Sequence, residues 1–307
     1  MSFSLTDTEL DTLLEQLPTL TGLPRELEDL AGGLTNRNVK VTTPTGVYVA
    51  RCCDTSTSLL GIDRDNEYVN SRAAAEAGVG APVFDYRPDL GILLIGFVQG
   101  TTLSNDDFSR PGVIPRVAAA CRTLHSGPRF RDDFDMFVRQ AGYLKVMHDN
   151  EFRFPAGYDD FAPQFAAIRA ALEDSPAATV PCNNDLLAAN FVDDGNRIRL
   201  IDYEYSGNND PCFELGNVWR ECRLSLDQLA ELVASYYGRE TRHELARARL
   251  QGTVSQYGWT LWGCIQNGAS ALDFDFWEWA AERYDNAVEE FRGPDFDRLL
   301  ADVRAPD

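Results

Sequence analysis

Between residues 183 and 205 the chain reads Asn183-Asn184-Asp185-Leu186-Leu187-Ala188-Ala189-Asn190 and then, after a short gap, Ile201-Asp202-Tyr203-Glu204-Tyr205. An Asp is followed by an Asn after four intervening residues, and by a second Asp that ends an apolar run. This is the polar skeleton of a phosphoryl-transfer site. In such a site the first Asp orients a substrate hydroxyl. The Asn and the second Asp offer Mg2+ the hard oxygen ligands it prefers. Asp185 is therefore the candidate catalytic residue, and Asn190 and Asp202 are the candidate metal ligands. A single Asp in a polar cluster is more often a cap or turn residue. Here a hairpin over residues 191–200 would bring the ends of two strands, and with them all three side chains, to one place.

Phosphoryl transfer needs further parts, and the chain offers them upstream. Ala31-Gly32-Gly33-Leu34-Thr35-Asn36 precedes a strand pattern. Gly32 and Gly33 would let backbone N–H groups cover phosphates, with Thr35 and Asn36 adding polar donors. Arg51 lies near the end of the strand Val47-Tyr48-Val49-Ala50-Arg51, where a cation can hold the α- and β-phosphates. Glu67, on the following helix, is its natural partner, since a guanidinium can fork between phosphate and carboxylate. Phe97-Val98-Gln99-Gly100 would be a hinge whose backbone groups meet a nucleotide base, which adds Gln99 to the nucleotide-binding candidates.

The elements that must position these residues fall into two groups. Residues 10–17 read as a short amphipathic helix stopped by Pro18. Residues 38–43 and 47–53 flank Pro44-Thr45-Gly46 as a hairpin. Residues 64–77 form a helix stopped by Gly78, and 82–86 and 91–97 make a second hairpin. Beyond Gln99-Gly100 the periodicity is mostly helical, over 114–125, 135–148 and 161–173. Two short strands at 191–192 and 197–201 interrupt it. Helices resume at 213–222, 226–237, 244–266, 274–290 and 296–303. The expectation is an α+β chain with two lobes: residues 1–98 as a small nucleotide-binding lobe, an antiparallel sheet plus a helix, and residues 99–307 as a larger, mostly helical lobe. The nucleotide would lie between them.

Composition excludes several alternatives. A net charge of −20 argues against a nucleic-acid partner or an anionic membrane surface. No segment reaches the roughly 18 consecutive apolar residues of a membrane span. The start Met1-Ser2-Phe3-Ser4-Leu5 lacks the basic and apolar regions of a signal peptide. Seven Cys without close pairing read as reduced thiols in a cytoplasm, with no zinc site. There is no G-x-S-x-G, and His125, His148 and His243 lack metal spacing, so they read as surface or packing residues.

Taken together, these motifs resemble the choline/ethanolamine kinase family, relatives of the aminoglycoside phosphotransferases with a protein-kinase-like fold. The resemblance runs across nearly the whole chain. It includes Gly32-Gly33-Leu34-Thr35-Asn36, Ile62-Asp63-Arg64 with Glu67, the 182–187 and 200–205 segments, and Phe213-Glu214-Leu215-Gly216-Asn217. Late in the chain it includes Gly258-Trp259-Thr260-Leu261-Trp262 and Leu272-Asp273-Phe274-Asp275-Phe276-Trp277. The family's base falls on Asp185 and its metal ligands on Asn190 and Asp202. Its amine pocket falls on Tyr205, Glu221, Trp259 and Trp262. Trp259 and Trp262 are three apart on an expected helix and so face one way. Aromatic faces attract a quaternary ammonium, which has no N–H to donate, and Glu221 would add counter-charge. Trp277 and Trp279 read as packing. Two departures stand out. Asn183 replaces a structural His that braces the catalytic loop, and Glu214 replaces an Asp, which would bear on the loop that positions Tyr205.

The resemblance implies ATP- and Mg2+-dependent phosphorylation of a small cationic amino alcohol, choline first. Ethanolamine, thiamine and aminoglycoside acceptors, or a ligand-binding pseudokinase, remain as alternatives, for a monomer or a homodimer.

Overall fold

The computed structural model describes residues 5–53 and 59–305, so the first four residues, on which the signal-peptide reading rests, lie outside it. The first lobe is built on a five-stranded antiparallel sheet. Its strands are β1 (Glu26–Leu30), β2 (Asn36–Thr43), β3 (Gly46–Cys53), β4 (Val83–Arg87) and β5 (Ile92–Gly96), in the order β1-β2-β3-β5-β4. Strand alternation divides the faces. On β3, Tyr48, Ala50 and Cys52 join a core with Leu10, Leu14, Leu17 and Leu20. Val49 and Arg51 therefore face the other way, into the cleft between the lobes. The leucines come from α1 (Asp7–Leu14) and the turn after it. A capping box between Thr6 and Glu9 starts α1, a feature that stabilises a helix by roughly 1 kcal/mol. On the cleft side, α2 (Arg64–Glu76) begins at the N-cap Asp63 and turns Glu67 inward.

β1 is an element the hydropathy pattern does not reveal. Its sequence, Glu-Leu-Glu-Asp-Leu, lacks a buried face because it is an edge strand. Its acidic side chains instead meet the cations of β2: Glu28 pairs with Lys40, and Asp29 with Arg37.

The second lobe is mostly helical: α3 (Val113–His125), α4 (Met136–Asp149), α5 (Ala162–Asp174), α6 (Pro211–Glu221), α7 (Leu226–Tyr237), α8 (Arg242–Ala269), α9 (Phe276–Arg292) and α10 (Phe296–Arg304). Short strands carry the polar segments between α5 and α6. β6 (Thr101–Thr102), β8 (Phe191–Asp193) and β9 (Ile198–Leu200) form one sheet, and β7 (Val180–Cys182) pairs with β10 (Gly207–Asn209). At three residues or fewer, β6, β7 and β10 are too short for periodicity to register. The expected helix at 274–290 begins instead at Phe276, with Asp275 as its cap, so Phe274 remains in the loop.

α8 is the axis of this lobe. Residues 250–266 are buried all round, and it packs against α4, α6, α9 and α10. It crosses α6 with backbone pressed against backbone. A Cβ on Gly216 would lie 2.2 Å from the Ala248 carbonyl oxygen, and one on Gly252 would lie 2.7 Å from the Gly216 oxygen. This crossing sets Glu221 of α6 against Gln256 of α8. Gly216→Ala is expected to destabilise the protein by about 2 kcal/mol or more through overpacking. Gly142→Ala, exposed within α4 with nothing near its Cβ position, should stabilise by about 0.5–1 kcal/mol. Urea unfolding of the two variants checks both signs.

Candidate active site

The segment after β7 has few ladder partners, so side chains hold it. Glu214, in the first turn of α6 and fully buried, accepts from the Asn183 and Asn184 amides at 2.9 and 2.7 Å. Asn217, one turn on, accepts from the Leu186 amide at 2.8 Å. Asn184 has φ 68°, and its Nδ2 donates to the Tyr205 carbonyl at 3.1 Å. The Asn183 Nδ2 donates to the Asp202 carbonyl at 2.6 Å, and its Oδ1 accepts from the Asp185 amide at 3.1 Å. Asn183 thus ties the two Asp-bearing segments together, the bracing that its replacement of a His put in question. Glu214 grips the 183–184 backbone directly, and through Asn184, whose Nδ2 donates to the Tyr205 carbonyl, it bears on the Tyr205 segment. Behind it His125 lies 3.4 Å from Glu214 and 2.7 Å from the Tyr236 hydroxyl. His125 therefore supports the loop from a position that sequence spacing does not disclose.

Asp185, Asn190 and Asp202 line one cleft of about 830 Å³ between the lobes. Asn190 donates from Nδ2 to the Asp185 carbonyl at 2.8 Å, which leaves its amide oxygen as the available ligand atom. Asp202 has φ 65° and stays a quarter exposed toward the cleft. Burial pushes the Asp185 carboxyl well above the usual range, and the carboxylates of Glu221, Asp202 and Glu204 push it further.

Arg51 reaches Glu67 at 3.0 Å and Asp202 at 2.6 Å. Burial opposes its charge, but Asp202, Glu67 and Glu204 outweigh burial and raise its pKa. Gly32 and Gly33 also line the cleft. A Cβ on Gly33 would sit 2.1 Å from the Asn36 carbonyl oxygen, so this tight turn requires glycine. The donors of Thr35 and Asn36 are already engaged. Thr35 Oγ1 donates to Glu204 at 2.8 Å, and Asn36 Nδ2 donates to it at 2.9 Å. They tie the glycine turn across the cleft rather than standing free for phosphate. Glu204 was absent from the expected set; Arg64 also reaches it, at 3.2 Å. Burial pushes Glu204 up to about 7, with Asp202 adding and Arg64 and Arg51 opposing. The Gln99 side chain is exposed, and Phe97, Val98 and Gly100 line the cleft instead, because the chain presses Gly100 against Asp193.

The far end of the cleft is aromatic. Tyr205, Trp259 and Trp262 are buried, with Trp262 Nε1 donating to the Tyr205 hydroxyl at 2.6 Å. Tyr205 and Trp259 meet edge to face at 4.9 Å. Trp279, expected as packing, also lines the cleft, 5.0 Å from Trp262. Trp277 remains against Arg153. Glu221 lines the same wall.

The fold and the site define a phosphotransferase of the two-lobed kinase type, acting on an alcohol hydroxyl. The choline/ethanolamine kinase family model matches residues 27–236, and the chain belongs to that family. It is 26% identical to the protein LicA of Haemophilus influenzae over 271 residues, covering 84% of this chain and 78% of that one. It is 30% identical to ethanolamine kinase 2 of Homo sapiens over 257 residues, covering 74% and 65%. A solved choline/ethanolamine kinase family protein from Mesorhizobium loti superposes with a TM-score of 0.85 at 34% identity, covering 97% of this chain and 98% of that one.

Glu214→Ala orphans two buried amides, each worth about 1–3 kcal/mol. It should lower stability in urea unfolding. It should also cut turnover about a hundredfold through displacement of Asp185.

Proposed function

We propose that the chain transfers the γ-phosphoryl group of ATP to the hydroxyl of a small cationic amino alcohol, choline before ethanolamine. One observation carries this reading. Asp185 lines one cleft together with the polar side chains Arg51, Asn190 and Asp202 and the aromatic side chains Tyr205, Trp259 and Trp262. In the bond change, the acceptor oxygen attacks the γ-phosphorus and the bond to the leaving ADP breaks.

Asp185 orients the hydroxyl and takes its proton. Asn190 and Asp202 fit Mg2+, since both present oxygens to the cleft and one amide oxygen is left without a partner. The bound metal and nucleotide would supply the phosphoryl group and neutralise charge on it. Arg51, held by Glu67, faces the phosphates in place of the usual Lys. The glycine turn at residues 32–33 covers them with backbone N–H groups. Tyr205, Trp259 and Trp262 receive the ammonium. In this reading residues 1–98 are the nucleotide-binding lobe and 99–307 the catalytic lobe of a cytoplasmic enzyme.

An ADP-release assay with Mg-ATP across choline, ethanolamine, thiamine and aminoglycosides tests the reading. Turnover on the amino alcohols is expected. Thermal stabilisation by Mg-ATP without ADP release on any acceptor would make the chain a nucleotide-binding pseudokinase instead. Asp185→Asn should lower kcat by about 10²–10⁴-fold while Mg-ATP still shifts Tm.

A further inference from the structure

The aromatic end of the cleft contains a charge pair that the phosphoryl-transfer chemistry does not use. Glu221, at the end of α6, has both carboxylate oxygens engaged within the chain. Oε1 accepts from Gln256 Nε2 at 2.6 Å, and Oε2 pairs with Nη2 of Arg283. Gln256 is itself held by Asn286, whose Nδ2 donates to its Oε1 at 3.1 Å. The Arg283 guanidinium lies over Trp279, 3.2 Å from the ring centroid, and its Nη1 donates to the Trp279 carbonyl at 3.2 Å. The Glu221 and Arg283 side chains are 4% and 9% exposed, yet both line the cleft. An internal cation thus occupies the place where a carboxylate and an aromatic face meet. The unpartnered buried polar atoms of this wall, among the described residues, are the donors Trp259 Nε1, Arg220 Nε and Arg283 Nε.

We propose that Arg283 is a specificity-determining residue: by closing Glu221 into a net-neutral pair, it leaves ammonium recognition to aromatic faces and favours an N-methylated amino alcohol over a primary one. The inference rests on the amino-alcohol reading above. A primary ammonium brings three N–H donors that need acceptors. Both Glu221 oxygens are already engaged, one by Gln256 and one by Arg283, the fully buried unpartnered atoms of the wall are themselves donors, and Asp185 faces the hydroxyl. A buried donor without an acceptor is costly. A quaternary ammonium has no such demand, and the faces of Tyr205, Trp259 and Trp262 suffice.

The test titrates wild type, Arg283→Met, Glu221→Gln and the double variant with ethanolamine, its mono- and dimethyl derivatives and choline. Intrinsic tryptophan fluorescence reads binding, and ADP release reads turnover. In wild type, affinity should climb with methylation, by about tenfold overall. Arg283→Met frees a Glu221 oxygen and should raise the ethanolamine-to-choline affinity ratio about tenfold. Glu221→Gln leaves an uncompensated guanidinium near the ammonium and should weaken choline binding. Adding Arg283→Met should recover most of that loss, a coupling expected of groups in contact. A wild-type series that is flat or falls with methylation overturns the proposal. So does an Arg283→Met protein that melts cooperatively with its ratio unmoved, or a double variant as weak as Glu221→Gln. Methyl-selective binding that shifts in Arg283→Met without any ADP release supports the inference while the kinase reading fails. ADP release with an unmoved ratio does the reverse, and neither binding nor release overturns both.

Discussion

The site depends on satisfying a stretch of backbone that has left its sheet. Between β7 and β8, and again between β9 and β10, the chain must present Asp185, Asn190 and Asp202 at one place, which forces it out of regular pairing. Its buried peptide groups still need partners. Glu214 and Asn217 supply them from α6, while Asn183 and Asn184 supply them from within. Two of these residues pass through positive φ, Asn184 and Asp202, which is tolerable for short polar side chains. α6 can serve as this clamp because it is itself pressed onto α8 at the Gly216–Gly252 crossing. Packing of the helical lobe is thereby transmitted to the position of one carboxylate.

A second consequence is electrostatic. Glu67, Asp202 and Glu204 converge with Arg51 and Arg64, three carboxylates against two guanidinia, at the junction of the lobes. Desolvating such groups costs several kcal/mol per ion, and mutual attraction repays that only when geometry is good. The excess carboxylate is accommodated by Glu204, which burial drives up to about 7. Thr35 and Asn36 donate to this same carboxylate, so the glycine turn is linked to the charge balance of the junction. A divalent cation would relieve the same excess.

Much of this was legible in the chain. The spacing of Asp185, Asn190 and Asp202 survives folding because a short hairpin forces their approach. The pairing of Arg51 with Glu67 follows from strand parity and helix position. The aromatic wall of Trp259 and Trp262 follows from helical spacing. Other parts were not legible, for identifiable reasons. β1 is a polar edge strand, and β6, β7 and β10 have three residues or fewer and lack the intervening turn, Asp193-Asp194-Gly195-Asn196, that marks the equally short β8 and β9. Glu204 is two residues from Asp202, but its partners lie about 140 and 170 positions away in sequence. The role of Arg283 depends on the contact between α6 and α9, which no local pattern encodes. Trp279 and Arg283 are four apart on α9, a spacing that does signal a stacked pair. It could have moved Trp279 out of the packing set. The hinge motif located the backbone: Phe97, Val98 and Gly100 line the cleft, while the Gln99 side chain is exposed.

The choice of Arg at position 51 follows from this geometry. One side chain must reach a carboxylate from α2 and another from the segment after β9. The guanidinium does so with two different nitrogens, Nε to Glu67 and Nη2 to Asp202. A Lys ammonium is a single point on a flexible stem and cannot fix two acceptors in a planar fork. Arg51 also remains charged despite burial, since guanidinium is not deprotonated in proteins. This cleft-lining cation is therefore oriented by the helix of one lobe and the segment after β9 of the other. A displacement of either lobe changes where its charge points. Lobe geometry and the electrostatics of the cleft are in this way one variable, set through one side chain.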